Sequence, residues 1–255
     1  MTSASPDLIP HPVSEPDHFD FERGEFFLIN KPLGWTSFDV VAKIRIGLRK
    51  LTGRKLKVGH AGTLDPLATG LLLICCGKYT KRIPELTGMN KAYEGSMRLG
   101  QTTPSYDGET EPTEAVPTEH LNLEQLQTTA AGFLGEGEQL PPIFSAVKVD
   151  GKRLYKSARA GKEVERKARP MRVEQYDITA FQNPEAEFAI TCSKGTYVRT
   201  LVHDLGQELG VGAWMTGLRR TSVGPYRLED AWELANLVER LRIAAEQSSS
   251  DLSSS

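Results

Sequence analysis

The stretch KVGHAGTLDPLATGLLLICCG, Lys57 to Gly77, lays a short strand, a glycine-rich loop and a second, fully apolar strand one after another. The loop, Gly59 to Gly70, has three glycines in twelve residues, so its backbone can turn tightly or approach a ligand without Cβ clashes. Pro66 disfavours the helical region for Asp65 and holds it extended, which presents the carboxylate from the loop. An aspartate there is ionised at neutral pH unless it is desolvated. Asp-Pro is also a common turn, so the loop taken alone leaves both a catalytic and a turning role open. It does not match the phosphate-cradling pattern GxxxxGK[ST].

Upstream, Gly24 to Asn30 (GEFFLIN) is a short apolar strand that runs into the turn-forming KPLGWTS. Thr36 or Ser37 can cap a helix whose stripe is Val40, Val41, Ile44 and Leu48, with Lys43, Arg45, Arg49 and Lys50 on its other face. Residues 1–23, rich in proline, serine and acids, read as a loosely ordered extension. Downstream, Lys91 to Gly100 alternates as a half-buried strand, with Tyr93, Met97 and Leu99 on one face. A helix fits Leu121 to Phe133 and strands fit Val173 to Phe181 and Glu187 to Ser193. Thr196 to Leu209 reads as a helix capped by Thr196. Ala213 to Leu218 and Arg219 to Arg227 read as two extended pieces, and Glu229 to Glu246 as a last helix before a serine-rich tail. Between them, Gln139 to Gly161 mixes prolines, a turn and a basic amphipathic helix, an excursion from the sheet. Strands and helices interleave without regular βαβ spacing, which predicts an α+β fold: a mixed, mostly antiparallel sheet flanked by helices.

The formal charge of −2 over 255 residues gives no hint of a nucleic-acid partner, but the distribution of charge does. Lys148 to Arg172 holds ten basic residues against three acids, and Lys43 to Lys57 holds seven basic residues and no acid. Asp107 to Glu124 holds six acids and no base. Segregated charge makes a basic face with its own field, where a scatter of solvated surfaces would not. Three cysteines, Cys75, Cys76 and Cys192, offer neither a disulfide framework nor metal-ligand spacing. The longest apolar run, Leu71 to Cys76, is far too short to cross a bilayer, and the N-terminus lacks the pattern of a secretory signal. A soluble protein of the reducing cytoplasm is expected.

Arg199 stands in the first turn of its helix, where the macrodipole disfavours a cation. A carboxylate partner would account for that, and Asp65 is the obvious candidate; an ordinary surface arginine is the alternative. Tyr93 is by default a core tyrosine, and His60 a base, a ligand or a polar residue at a strand end. No Ser–His–Asp set and no metal-ligand cluster can be picked out.

Around these residues the chain resembles the TruB family of pseudouridine synthases. GHAGTLDPLATG is close to the family pattern G-H-x-G-x-L-D-P-x-A-x-G. NKPLGWTS (Asn30 to Ser37), KAYE (Lys91 to Glu94) and QLPPIFSAVKVDGKRLYKSARAG (Gln139 to Gly161) are similar to family segments in the right order. So are SKGTYVRTLVHDLG (Ser193 to Gly206) and GLRRTSVGPY (Gly217 to Tyr226). The resemblance implies a pseudouridine synthase catalytic domain over 24–228, with a basic thumb at about 139–172, followed over 229–255 by a helix and a tail. Many family members carry a C-terminal RNA-binding PUA domain, and the residues after Tyr226 are too few for one.

The resemblance also implies the chemistry: isomerisation of uridine 55, in the T loop of tRNA, with no metal or other cofactor. Asp65 would begin cleavage of the glycosidic bond, Arg199 would pair with it, and Tyr93 would stack on the flipped-out base. His60 would help fill the vacated stack, while Lys31 and Leu218 would line the pocket. The partner would be the T arm of tRNA, met by a monomer that needs no second protein. Rival readings are a non-catalytic RNA-binding or RNA-folding protein, a related synthase that acts on another RNA or is guide-dependent, and an aspartate-dependent nucleoside hydrolase, which would not need two basic segments.

Overall fold

The computed structural model describes residues 24–143, 148–149, 152–153 and 166–253. The N-terminal extension, and the helix expected in the thumb, lie outside the described residues. In chain order the first elements are β1 (Phe26–Lys31), α1 (Ser37–Thr52), β2 (Val58–Ala61), β3 (Ala68–Cys76), α2 (Ile83–Gly88), β4 (Lys91–Leu99), α3 (Leu123–Ala131) and β5 (Gly135–Gln139). There follow β6 (Lys148–Val149), β7 (Lys152–Arg153), β8 (Arg169–Gln182), β9 (Glu185–Cys192) and α4 (Val198–Glu208). The last are β10 (Ala213–Val223), β11 (Tyr226–Arg227), β12 (Trp232–Glu233) and α5 (Leu234–Ser253). Two compact units divide the chain: Met1–Met89 with Arg220–Ser255, and Asn90–Arg219.

In the first unit β1 pairs antiparallel with β3, from Phe26 opposite Cys75 to Lys31 opposite Gly70, and parallel with β12. β2 lies antiparallel on the far half of β3, and β11 folds back on the end of β10. The apolar run of β3 is buried throughout, because both of its faces are covered. One face joins Phe26, Leu28, Leu71, Leu73 and Cys75 to Leu86, Val223 and Tyr226. Helix α1 turns Val40, Val41, Ile44 and Leu48 inward, as its stripe predicts, and packs on α5 where Gly47 meets Leu241.

In the second unit β4, β9, β8 and β5 are antiparallel neighbours. The alternation read in β4 holds, with Lys91, Tyr93, Met97 and Leu99 buried. β5 (GEGEQ) has no strand-forming residue and so carries no strand signal; its backbone pairs along β8. The two extended pieces read from Ala213 join without a break in β10, and the end of the second returns as β11. Gly217 does not break β10 but answers a crowded crossing, since a Cβ there would meet Ser96 and one at Gly95 would meet the Gly217 carbonyl. β6 and β7 form a two-stranded hairpin. The serine-rich tail is helical as far as Ser253, a continuation of α5. Among the described residues no helix is long and apolar enough to cross a membrane.

Candidate active site

The loop that carries Asp65 is fixed from its neighbours. Thr36, not Ser37, caps α1: its hydroxyl accepts the Asp39 N–H at 3.1 Å, and the Asp39 carboxylate accepts the Thr36 N–H at 2.9 Å. Ser37 is thereby released for another task. Its buried hydroxyl donates to the Leu64 carbonyl at 3.0 Å and accepts the Leu64 N–H at 2.9 Å. One side chain thus satisfies both backbone polar groups of the residue before Asp65. On the other side the Pro66 carbonyl accepts the Gly34 N–H at 2.9 Å, and the Asp65 carbonyl accepts the Ala68 N–H at 3.0 Å. Asp65, half-buried, hangs from backbone held on both flanks.

Arg220 completes the clamp and is 1% exposed. Its guanidinium donates to Leu71 O at 2.7 Å and to Gly62 O at 3.0 Å, with Thr63 O at 3.5 Å. Gly70, at φ +97°, lies so close to the Arg220 backbone that no Cβ fits. Lys31 is fully buried at the end of β1, and its ammonium donates to Trp35 O at 2.6 Å and Pro32 O at 2.9 Å. Burial, reinforced by the Arg220 charge and opposed by Asp65 and Asp39, brings the Lys31 pKa down to about 8. His60, opposite Ile74 on β3, is held below the usual imidazole range by burial and then by Arg220, with the Gly62 backbone acting the other way. Lys31, His60 and Asp65 therefore belong to one unit, with Arg220 as a fourth member that sequence reading missed. Its signal was an arginine pair in an extended apolar segment, one of which had to face inward.

Tyr93, Arg199 and Leu218 belong to the other unit. Tyr93, 9% exposed, lies on β4 opposite Ile190 of β9, and Leu218 is half-buried on β10. Helix α4 is capped at Tyr197, not at Thr196, and by no side chain of its own. Buried Gln139 holds the capping residue itself, accepting the Tyr197 N–H at 2.8 Å and donating to its carbonyl at 3.1 Å. Arg199 is then the second residue of the helix and is itself buried. The carboxylate against it within this unit is Asp107, at 3.2 Å, with both side chains about 5% exposed or less. The same Arg199 nitrogen donates to Ser105 O at 3.0 Å. A basic residue at a helix N-terminus is thus matched by an acid from a distant loop, as its placement demanded. Asp107 is one of six acids in a stretch without bases, and nothing in that stretch singles it out.

The loop around Asp107 is closely bonded. Thr103 and Ser105 hydroxyls donate to the Asp107 carbonyl, and Asp107 Oδ1 accepts the Glu109 N–H at 3.0 Å. Tyr106, between the two groups that hold Arg199, adopts φ +64°, which costs a non-glycine residue about 1–2 kcal/mol.

The family model described as TruB family pseudouridylate synthase (N terminal domain) matches residues 49–198, and that of the tRNA pseudouridylate synthase B C-terminal domain matches 199–254. A tRNA pseudouridine synthase B of Flavobacterium johnsoniae is 48% identical over 225 residues, 88% of this chain and 98% of that protein. One of Phocaeicola vulgatus is 49% identical over 223 residues, 87% of this chain and 95% of that protein. Among solved structures, an H/ACA RNP bound to a substrate RNA containing 2′-deoxyuridine superimposes with a TM-score of 0.62 at 26% identity, over 93% of this chain and 59% of that one. With both of its parts matched in order and its fold shared, the chain belongs to the TruB family of pseudouridylate synthases.

Proposed function

We propose that this protein isomerises uridine 55, in the T loop of tRNA, to pseudouridine, acting alone and without a cofactor. The observation that carries the reading is the Asp65 loop: a carboxylate on backbone clamped at Leu64 and Pro66, beside a buried lysine. The reaction breaks one C–N glycosidic bond and makes one C–C bond to the same ribose carbon. The uracil C5 gives up its proton and N1 gains one, so nothing is added or lost overall. The base must first leave its stack, at a cost of a few kcal/mol, least in a loop.

Asp65 starts glycosidic cleavage as nucleophile or base, and Arg199 pairs with it and holds it in place. Tyr93 stacks on the flipped uracil, His60 helps fill the vacated stack, and Lys31 and Leu218 line the pocket, one polar and one apolar. A tRNA transcript carrying tritium at uracil C5 tests this, because every turnover must release that hydrogen to water. Stoichiometric release by pure protein is the expected result, and no release from folded, tRNA-bound protein overturns the reading.

Lys31 gives the rate a pH dependence. Its ammonium, beside Asp65, stabilises the negative charge that develops on the uracil as the glycosidic bond breaks, and that charge is lost as pH rises through about 8. The expected kcat falls severalfold, by about three or more, between roughly pH 7.5 and 9. Lys31→Met should work at a lower plateau and lack this alkaline limb. A limb that persists unchanged in the variant assigns it to another group.

Six exposed cations, Lys43, Arg49, Lys50, Arg54, Lys55 and Lys57, lie on α1 and the segment after it. If they meet six phosphates, the affinity for tRNA falls with salt along a log–log slope of about −4 to −5. A flat affinity between low and moderate salt would show these cations to be a solvated face only.

A further inference from the structure

Tyr106 is the one non-glycine residue with a left-handed φ among the described residues, and the roles assigned above leave it no task. Its ring lies flat on the imidazole of His203, with centroids 3.8 Å apart and planes 13° from parallel. His203 stands on α4 four residues after Arg199, one helical turn along. We propose that the Tyr106–His203 stack is a positioning device that sets the Arg199 guanidinium for catalysis. It rests on the role given to Arg199 above.

The geometry shows why such a device is needed. Two acceptors converge on a single Arg199 nitrogen, the Ser105 carbonyl and the Asp107 carboxylate, and they flank Tyr106 in sequence. The left-handed φ of Tyr106 sets how these two acceptors stand relative to one another. Glycine would adopt this backbone without strain, whereas tyrosine adopts it only where its surroundings impose it. The Tyr106 N–H donates to Thr103 O at 3.1 Å, and its carbonyl accepts the Met215 N–H at 3.0 Å. Those bonds hold the loop to itself and to β10, but neither reaches α4. The ring does. Stacked on His203, it ties the loop to the helix that carries Arg199, so the guanidinium and its two acceptors move as one body. Burial holds the His203 imidazole below its usual pKa, so it stacks uncharged at neutral pH.

Tyr106→Gly tests this cleanly, because glycine keeps the backbone and relieves its strain while removing the ring. Expected is a fall in kcat of at least about tenfold, from a misplaced catalytic group, with tRNA affinity within about threefold of the parent. Tyr106→Phe, which retains the ring, should recover most of the rate. His203→Ala should lose about as much as Tyr106→Gly, and the double variant little more, since both remove one stack. A kcat within about twofold of the parent in Tyr106→Gly overturns the proposal, as does a loss that appears equally in KM or that Phe fails to rescue. Should Tyr106→Gly not fold, His203→Ala with rescue by His203→Phe carries the same comparison, and full activity in His203→Ala overturns it. Asp65→Asn is assayed alongside. If that variant turns over, the functional reading itself fails; if it is inert while Tyr106→Gly matches the parent, only the positioning role falls.

Discussion

Asp65→Asn is expected to form no pseudouridine above background, a loss in kcat of at least about 10⁴, or roughly 5 kcal/mol of transition-state stabilisation. The amide keeps the shape of the carboxylate and loses its charge and basicity. The loop has no reason to move, because it is held by backbone contacts that the substitution leaves in place: Ser37 on Leu64, Gly34 on Pro66, and Ala68 on the Asp65 carbonyl. Binding of tRNA should accordingly stay within about tenfold, or 1.4 kcal/mol. A gel-shift titration beside a single-turnover assay separates the two quantities. Near-parental turnover would remove Asp65 from the chemistry altogether.

The second large effect is on stability. Arg199 and Asp107 are 5% and 4% exposed, so Asp107→Ala takes away a desolvated carboxylate and leaves the guanidinium in place. Breaking one side of such a pair costs about 3 kcal/mol or more. The melting temperature of a chain this size should fall by roughly 10 °C. The Ser105 carbonyl still accepts from Arg199, which limits the damage, but the Glu109 N–H loses its acceptor as well. Replacing both charges, Asp107→Leu with Arg199→Met, should restore much of the stability and none of the activity, because an apolar pair needs no desolvation and supplies no cation. Thermal melts and kcat for the two variants check this. A melting point that drops by less than about 2 °C in Asp107→Ala would mean that water already screens the pair.

What could be read from the sequence was what local pattern controls. The stripe of α1, the alternation of β4 and the apolar run of β3 each follow from a period of side chains, and each is found as read. The capping of α1 was open between Thr36 and Ser37, since both carry the same hydroxyl. Only the partner across the fold, the Leu64 backbone, tells them apart. The same local logic makes Thr196 the cap of α4, whereas the helix begins one residue later at Tyr197, whose backbone is held by Gln139, 58 residues away in sequence. β5 escaped because two glycines and two glutamates carry no strand signal; its pairing is imposed by the backbone of β8. β10 reads as two pieces that part between Leu218 and Arg219, and only its pairing shows the strand running on to Val223.

The candidate site divides along the same line. Asp65 could be singled out because a Pro and three glycines mark its loop within twelve residues. Arg199 was suspicious because a cation at a helix N-terminus needs an acid. Asp107 could not be found so, and for Arg220 the alternation of a strand says only that one of two adjacent arginines faces inward. Their meaning lies in partners 92 and about 150 residues distant, and no local spacing reports on that.

Site-resolved mapping of pseudouridine in a tRNA transcript, incubated with the pure protein and nothing else, tests the central claim most directly. The account predicts near-complete conversion at uridine 55 of the T loop, with every other uridine unchanged and no product when that base is cytidine. Pseudouridine at other positions with uridine 55 untouched, or none at all from protein that binds the transcript, would contradict it.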